Sequence, residues 1–287
     1  MTLPTMLTHS GAETRAWCRA IDDGPWTGLA VPERVTFGNH SWVVELAAAA
    51  ALTERVRLWT TIVVLPAHDA VDVAKQVASV DVLSGGRLTF GIGVGGRQHD
   101  YRALGAPFER RWSRMDEQVA TMRAVWAGEP PFAGADPVGP APVQPGGPPL
   151  VAGVMGPKAT ARAARWAAGV NTFTFDGSRE ALERAVVPVR AAWTAAGRSE
   201  APHFSAGLWY ALGDDAAARL REYAYRYLRI FGEEFARAAS ESATCAGPDA
   251  LRRAVDDAAA AGVDELFLVP TTADVTELDR TLAALDG

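Results

Sequence analysis

Eight short runs rich in β-branched and aromatic residues, each followed by a longer segment with helical periodicity, constrain this chain more than any other feature. The runs are Leu3–Leu7, Gly28–Val31, Arg57–Leu65, Leu88–Val94, Leu150–Val154, Val170–Phe175, Phe204–Leu212 and Glu265–Val269. Strands alternating with helices pair in parallel, because each helix carries the chain back to the edge from which the next strand starts. The intervening segments have their own signals. Val73, Val77 and Val80 recur at i, i+4 and i+7 before a stop at Ser84-Gly85-Gly86, and Met115, Val119, Met122 and Trp126 form a second stripe. Ser178 and Asp214 suit helix N-caps, Gly169, Gly197 and Gly262 fall past helix ends, and Pro248 suits a first helical position. Asp274 and Glu277 have capping-box spacing. This pattern predicts an α/β fold, a single-domain (β/α)8 TIM barrel over residues 1–287, with an open doubly wound sheet as the topological alternative.

Two segments interrupt the rhythm and are read as irregular insertions, at about 127–149 and 221–243. The first places eight prolines and five glycines in 23 residues, a linker by composition. Its flanks continue one βα series, however, and a domain boundary there would leave two half-sheets with open edges. The second carries Tyr223, Tyr227, Phe231 and Phe235 at helical spacing. It reads first as a helix packed on the barrel, and otherwise as a lid or a dimer surface; a homodimer is the expected assembly.

Composition narrows the partners. A net charge of −6 with no isolated basic cluster argues against nucleic acid, and no apolar run reaches the ~20 residues of a membrane span. The expectation is a cytoplasmic protein with a small-molecule substrate, no nucleic-acid partner and no membrane association. Cys18 and Cys245 are far apart and lack metal or disulfide spacing, so both read as buried packing thiols.

Candidate chemistry gathers at the C-terminal ends of the predicted strands. Gly91-Ile92-Gly93-Val94-Gly95-Gly96 has GxGxxG spacing but is followed by an irregular stretch rather than a helix, and no acid sits at a strand end about 20 residues on. Gly93, Gly95 and Gly96 therefore read as places where backbone approaches a bulky ligand, with a simple strand-end bulge as the bland alternative. Met155-Gly156-Pro157-Lys158 opens a helix with free N–H groups that suit a phosphate. Glu33, Arg34 and His40 follow the second strand. Of the five histidines, His9, His40, His68 and His99 fall beyond strands one to four, whereas His203 lies at the opposite end of a strand. No HxH, HExxH or GxSxG motif is present.

The run from Ala74 to Gly95, including Ser84-Gly85-Gly86-Arg87-Leu88-Thr89-Phe90-Gly91-Ile92-Gly93, resembles the luciferase-like flavin and coenzyme F420 oxidoreductases. So do Tyr101–Arg111, Val31-Pro32-Glu33-Arg34, Gly247-Pro248-Asp249 and Ala261–Leu266, in the same order along nearly the whole chain. The resemblance implies a luciferase-like barrel whose mouth holds FMN or coenzyme F420 above a non-proline cis peptide, here Thr61–Ile62. It implies a cofactor site of Thr61, Ile62, Gly93, Gly95, Gly96, His99, Gly153, Met155, Gly156 and Lys158. Glu33, Arg34 and His40 would act on substrate, with His9 and His68 lining the pocket. Three positions depart from the pattern: Arg34 stands where many relatives carry His, His68-Asp69-Ala70 replaces a common Arg-His/Asn-Pro turn, and Gly96 replaces an aromatic or acidic residue. The implied activity is a flavin-type oxidoreductase or monooxygenase, using hydride transfer or oxygen insertion. A non-catalytic flavin binder and a cofactor-free paralogue are the alternatives.

Overall fold

The computed structural model describes residues 1–286. Its strands are β1 (Gly28–Val31), β2 (Arg57–Thr60), β3 (Val63–Val64), β4 (Leu88–Gly93), β5 (Leu150–Gly153), β6 (Gly169–Phe173), β7 (His203–Tyr210) and β8 (Glu265–Pro270). All pair in parallel, in the order β1-β2-β4-β5-β6-β7-β8, with β3 continuing beside β4. The N-terminal residues close the ring: Thr2 N–H donates to Leu268 O of β8 at 3.1 Å, and Leu3 N–H donates to Ala30 O of β1 at 2.8 Å. The result is a single-domain, nearly closed (β/α)8 barrel.

Eleven α-helices occur among the described residues: α1 (Gly11–Asp23), α2 (Trp42–Leu52), α3 (Ala70–Leu83), α4 (Gln98–Ala103), α5 (Arg111–Trp126), α6 (Pro157–Ala163), α7 (Arg179–Ala195), α8 (Ala216–Leu228), α9 (Glu233–Glu241), α10 (Pro248–Ala261) and α11 (Thr276–Asp286). Local chemistry sets their limits. Ser10 and Glu13 form a reciprocal capping box at α1, and the Asp69 carboxylate accepts the Val71 and Asp72 N–H groups at the start of α3. Gly262 ends α10 in the left-handed region, which an L side chain adopts at a cost. Ala30, Trp59, Val151 and Phe267 fill the barrel interior, while Leu46, Val77 and Met122 pack helices against Leu29, Leu58 and Phe90. None of the helices among the described residues is long and apolar enough to cross a membrane.

The structure corrects several sequence-based expectations. Leu3–Leu7 is not a strand; barrel closure uses residues 1–3, and the chain then turns away, with Met6 at φ 68°. Arg57–Leu65 is not continuous: Trp59 pairs with Thr89 but Val63 pairs with Ile92, so β2–β3 carries one more residue than β4 across the same span. Asp215 rather than Asp214 occupies the N-cap of α8. Glu277 does not complete a capping box, because its buried carboxylate accepts the Leu212 N–H at 3.0 Å instead.

Residues 127–149 contain no helix or strand and run along α3 and α5. Asp81, fully buried, accepts the Val143 and Gln144 N–H groups at 2.8 and 3.0 Å, and Lys75 donates to Gly139 O at 2.7 Å. After β7, α8, a 3-10 turn (Arg229–Phe231) and α9 form an excursion that reaches the loops beyond β1 and β4.

Candidate active site

The extra residue between β2 and β3 shapes the floor of the barrel mouth. Thr60 fills the resulting gap in the ladder, its hydroxyl accepting from Gly91 N–H and donating to Gly91 O, each at 2.8 Å. A Cβ at Gly91 would lie 2.0 Å from Thr60 O, so no side chain is possible there. The Thr61–Ile62 peptide is cis. Ile62 then lies across two strand ends: a Cβ on Gly93 would come within 2.5 Å of its Cδ1, and one on Gly153 within 3.2 Å of its Cγ2. Gly95, at φ 59°, faces Val64 in the same way, at 2.9 Å. These glycines thus make room for the protein's own side chains: Val64 is buried, and the half-exposed Ile62 forms the floor. Around it stand Asn171 and Thr172, half-buried, with Phe173 at 40% and Met155 at 89% exposure.

Glu33 is buried beside this floor. One carboxylate oxygen accepts the Val64 N–H at 2.6 Å and the other lies 2.7 Å from His68 Nε2, so the residue ties the loop after β1 to the segment after the bulge. The His68 carbonyl accepts from Gln118 Nε2 at 2.8 Å, extending the tie to α5. The Arg34 guanidinium donates through one Nη to the Glu33 carbonyl oxygen at 2.6 Å and lies 4.9 Å from the Tyr227 ring centroid, with Nε buried and unpartnered. Burial pushes the Arg34 pKa down to about 10.

His9 and His40 meet on the neighbouring rim, with ring centroids 4.6 Å apart and edge to face. His9 Nε2 lies 2.7 Å from Glu45 Oε1 on α2, and its Nδ1 lies 3.2 Å from Leu7 O. Both partners are acceptors, so the imidazolium, with a proton on each nitrogen, satisfies both contacts. The hydrogen bond that His9 donates to Glu45 accordingly raises the His9 pKa above its ordinary value. His40 Nε2 donates to His9 O at 2.9 Å, which leaves its Nδ1 as the free ring atom.

His99 is set apart from the floor, in a cavity bounded by the loops after β1 and β4 and by the excursion. Asp100 organises one wall: its Oδ1 accepts Thr36 N–H and Oγ1–H at 3.1 and 2.7 Å, and its Oδ2 lies 3.5 Å from Arg97 Nε. Arg97 also donates to Tyr227 O and stacks 4.3 Å from the Phe37 centroid. Phe231 of the 3-10 turn packs beside the exposed Gly96, with Cε1 3.2 Å from where a Cβ would lie. At the β5–α6 turn, Met155, Gly156, Pro157 and Lys158 are exposed, Gly156 has φ 86°, and open space surrounds its Cβ direction.

A family model for luciferase-like monooxygenases matches residues 2–284. The chain belongs to that family. Among curated relatives, an uncharacterised protein of Mycobacterium tuberculosis is 34% identical over 57% of this chain and 59% of its own length. The match thus spans less than two thirds of that relative. A shorter region, 29% of this chain and 26% of the other, is 40% identical to an F420-dependent glucose-6-phosphate dehydrogenase of Beutenbergia cavernae. A monooxygenase from Streptomyces bottropensis superposes with TM-score 0.77 at 23% identity, covering 99% of this chain and 96% of that one. The coenzyme F420-dependent tetrahydromethanopterin reductase of Methanopyrus kandleri gives TM-score 0.76 at 16% identity with the same coverage. At these identities the two structures establish the luciferase-like fold.

The structure groups the candidate residues into Thr61, Ile62, Gly93 and Gly153 at the floor, Glu33 with His68, and His9 with His40. The Arg97–Asp100–Thr36 network and the roles of Glu45, Phe173 and Tyr227 escape a linear reading. Arg97 and Asp100 have ordinary i,i+3 spacing, and Thr36 is 64 positions from its partner. Only the run of aromatics in the excursion signalled that this segment meets the mouth.

Proposed function

We propose that this chain is an oxidoreductase that uses a flavin-type cofactor, FMN or coenzyme F420, on a small organic substrate, by hydride transfer or oxygen insertion. The observation that carries the reading is the half-exposed floor of Ile62 over Gly93 and Gly153, at the mouth of a barrel in the luciferase-like family. A planar ring fits it: no side chain rises from the two glycines, and Ile62, Met155 and Phe173 offer apolar contact. When bound, the ring would supply the redox chemistry, while the protein supplies orientation and exclusion of water.

Thr61, Ile62, Gly93, Gly95, Gly96 and Gly153 would hold the ring, and Met155, Gly156 and Lys158 the phosphate. Glu33 is a positioning residue in this reading, because both its oxygens are engaged within the protein. Arg34 and His40 are then the groups available to the substrate, Arg34 as a fixed cation and His40 through Nδ1. His9 holds His40 through its carbonyl oxygen, and His68 holds Glu33.

Titration of the protein with FMN and with F420, followed by cofactor fluorescence, tests the proposal. Saturable binding of one of them is expected, weakened by Gly156→Asp, which adds a negative charge beside the phosphate. Binding of neither cofactor would overturn the reading. The assembly proposed is a homodimer, supported by an outward apolar stripe on α2 made of Val44, Ala48 and Ala51.

A further inference from the structure

The cavity that holds His99 has a volume of about 610 Å³, and Phe231, next to its lining residue Ile230, packs beside Gly96 just beyond β4. That volume suits a small organic molecule. Its charges do not cancel. Arg97 is matched by Asp100, and the cavity's own acid, Glu233, accepts from the Tyr225 hydroxyl and lies 4.0 Å from Arg237. Arg226, on the last turn of α8, and Arg229, at the start of the 3-10 turn, line the same cavity. Neither has a carboxylate within 4 Å or a side-chain hydrogen bond among the described residues. Two unmatched guanidinium forks over a partly enclosed wall favour a planar or tetrahedral oxyanion, and Phe37 offers an apolar surface beside them.

We propose that this cavity is a subsite for the anionic group, a carboxylate or phosphate, of the organic substrate, with Arg226 and Arg229 as its ligands and as determinants of specificity. The word substrate rests on the flavin-type reading of the mouth; the anion site itself rests on the cavity. None of its lining residues belongs to the Met155–Lys158 turn, so a cofactor phosphate at that turn and a substrate anion here would occupy separate places.

Calorimetric titration of the full chain with benzoate, phenyl phosphate and neutral benzamide tests this. The two anions should bind at least about tenfold more tightly than benzamide, and less tightly as salt rises. Arg226→Gln and Arg229→Gln should each weaken the anions, and the double variant should weaken them by at least about tenfold. Arg221→Gln, on the same helix but outside the cavity, should match the parent. Both cavity arginines are exposed, so an unchanged melting transition is expected and separates lost binding from lost folding. Saturating FMN or F420 should leave the anion affinity unchanged. Equal binding of benzamide and benzoate, or parent-like binding by the double variant, would overturn the subsite. Displacement of the probes by cofactor would assign the arginines to the cofactor's own anionic chain and overturn the substrate assignment. Anion binding through these arginines in a protein that binds neither cofactor would sink the flavin reading and leave the anion subsite standing.

Discussion

A single methyl group at Gly93 would meet Ile62 Cδ1 at 2.5 Å, with the Ile62 side chain also pressed against the Gly153 position. Ile62 would have to rise from the floor, so Gly93→Ala is expected to cost about 1 to 3 kcal/mol of stability through overpacking. Cofactor affinity should fall with it. Pairing this change with Ile62→Val, which removes the clashing Cδ1, should restore part of both, as read by melting and cofactor titration. His9 yields a pH prediction at the same scale. Its folded pKa is raised above 6.5 by Glu45, so the stabilisation is fully present below about 6.5 and disappears as pH rises through the raised value. A denaturation series across that window should show a falling stability that is absent in His9→Phe. An unchanged slope in the variant would mean that another group is responsible.

The tie between β1 and β3 runs through Glu33, whose removal would strand a buried Val64 N–H and leave His68 without its partner. Glu33→Ala is therefore expected to lower stability by about 1 to 3 kcal/mol or more, the penalty of an unmet buried donor. The milder Glu33→Gln retains an acceptor for Val64. If Glu33→Ala melted like the parent while losing turnover, Glu33 would be catalytic rather than positioning. Elements also show what the sequence could convey. Alternating runs located β1 and β4 to β8 within a few residues, because period and composition are local signals. The break at Thr60–Ile62 did not follow from periodicity, because it depends on Gly91 and Gly93 across the ladder, although the resemblance put a cis peptide at Thr61–Ile62, where it lies; the N-terminal strand was misplaced because its register is set by β1 and β8 together. Glycines 93 and 95 were legible as sites of close approach, but the approaching groups are Ile62 and Val64.

Across the whole molecule, the apolar faces of α2 and α3 point in two directions. Leu46 and Val77 pack inward, while Val44 is 64% exposed on α2 and Leu83 is 62% exposed at the end of α3. α2 carries little charge of its own to keep such a face in water: Glu45, its one charged residue, is buried against His9. An outward stripe of Val44, Ala48 and Ala51 at i, i+4 and i+7 is the pattern by which one helix packs on another, and a two-fold partner would cover it with the same stripe. Exposure alone does not identify an interface, since Val187 on α7 is also 64% exposed. The two positions therefore make a matched comparison. Val44→Asp is expected to shift the protein from dimer to monomer in analytical ultracentrifugation, whereas Val187→Asp should leave the mass unchanged. A monomeric parent, or a Val44→Asp variant that remains dimeric, would rule out α2 as the dimer face.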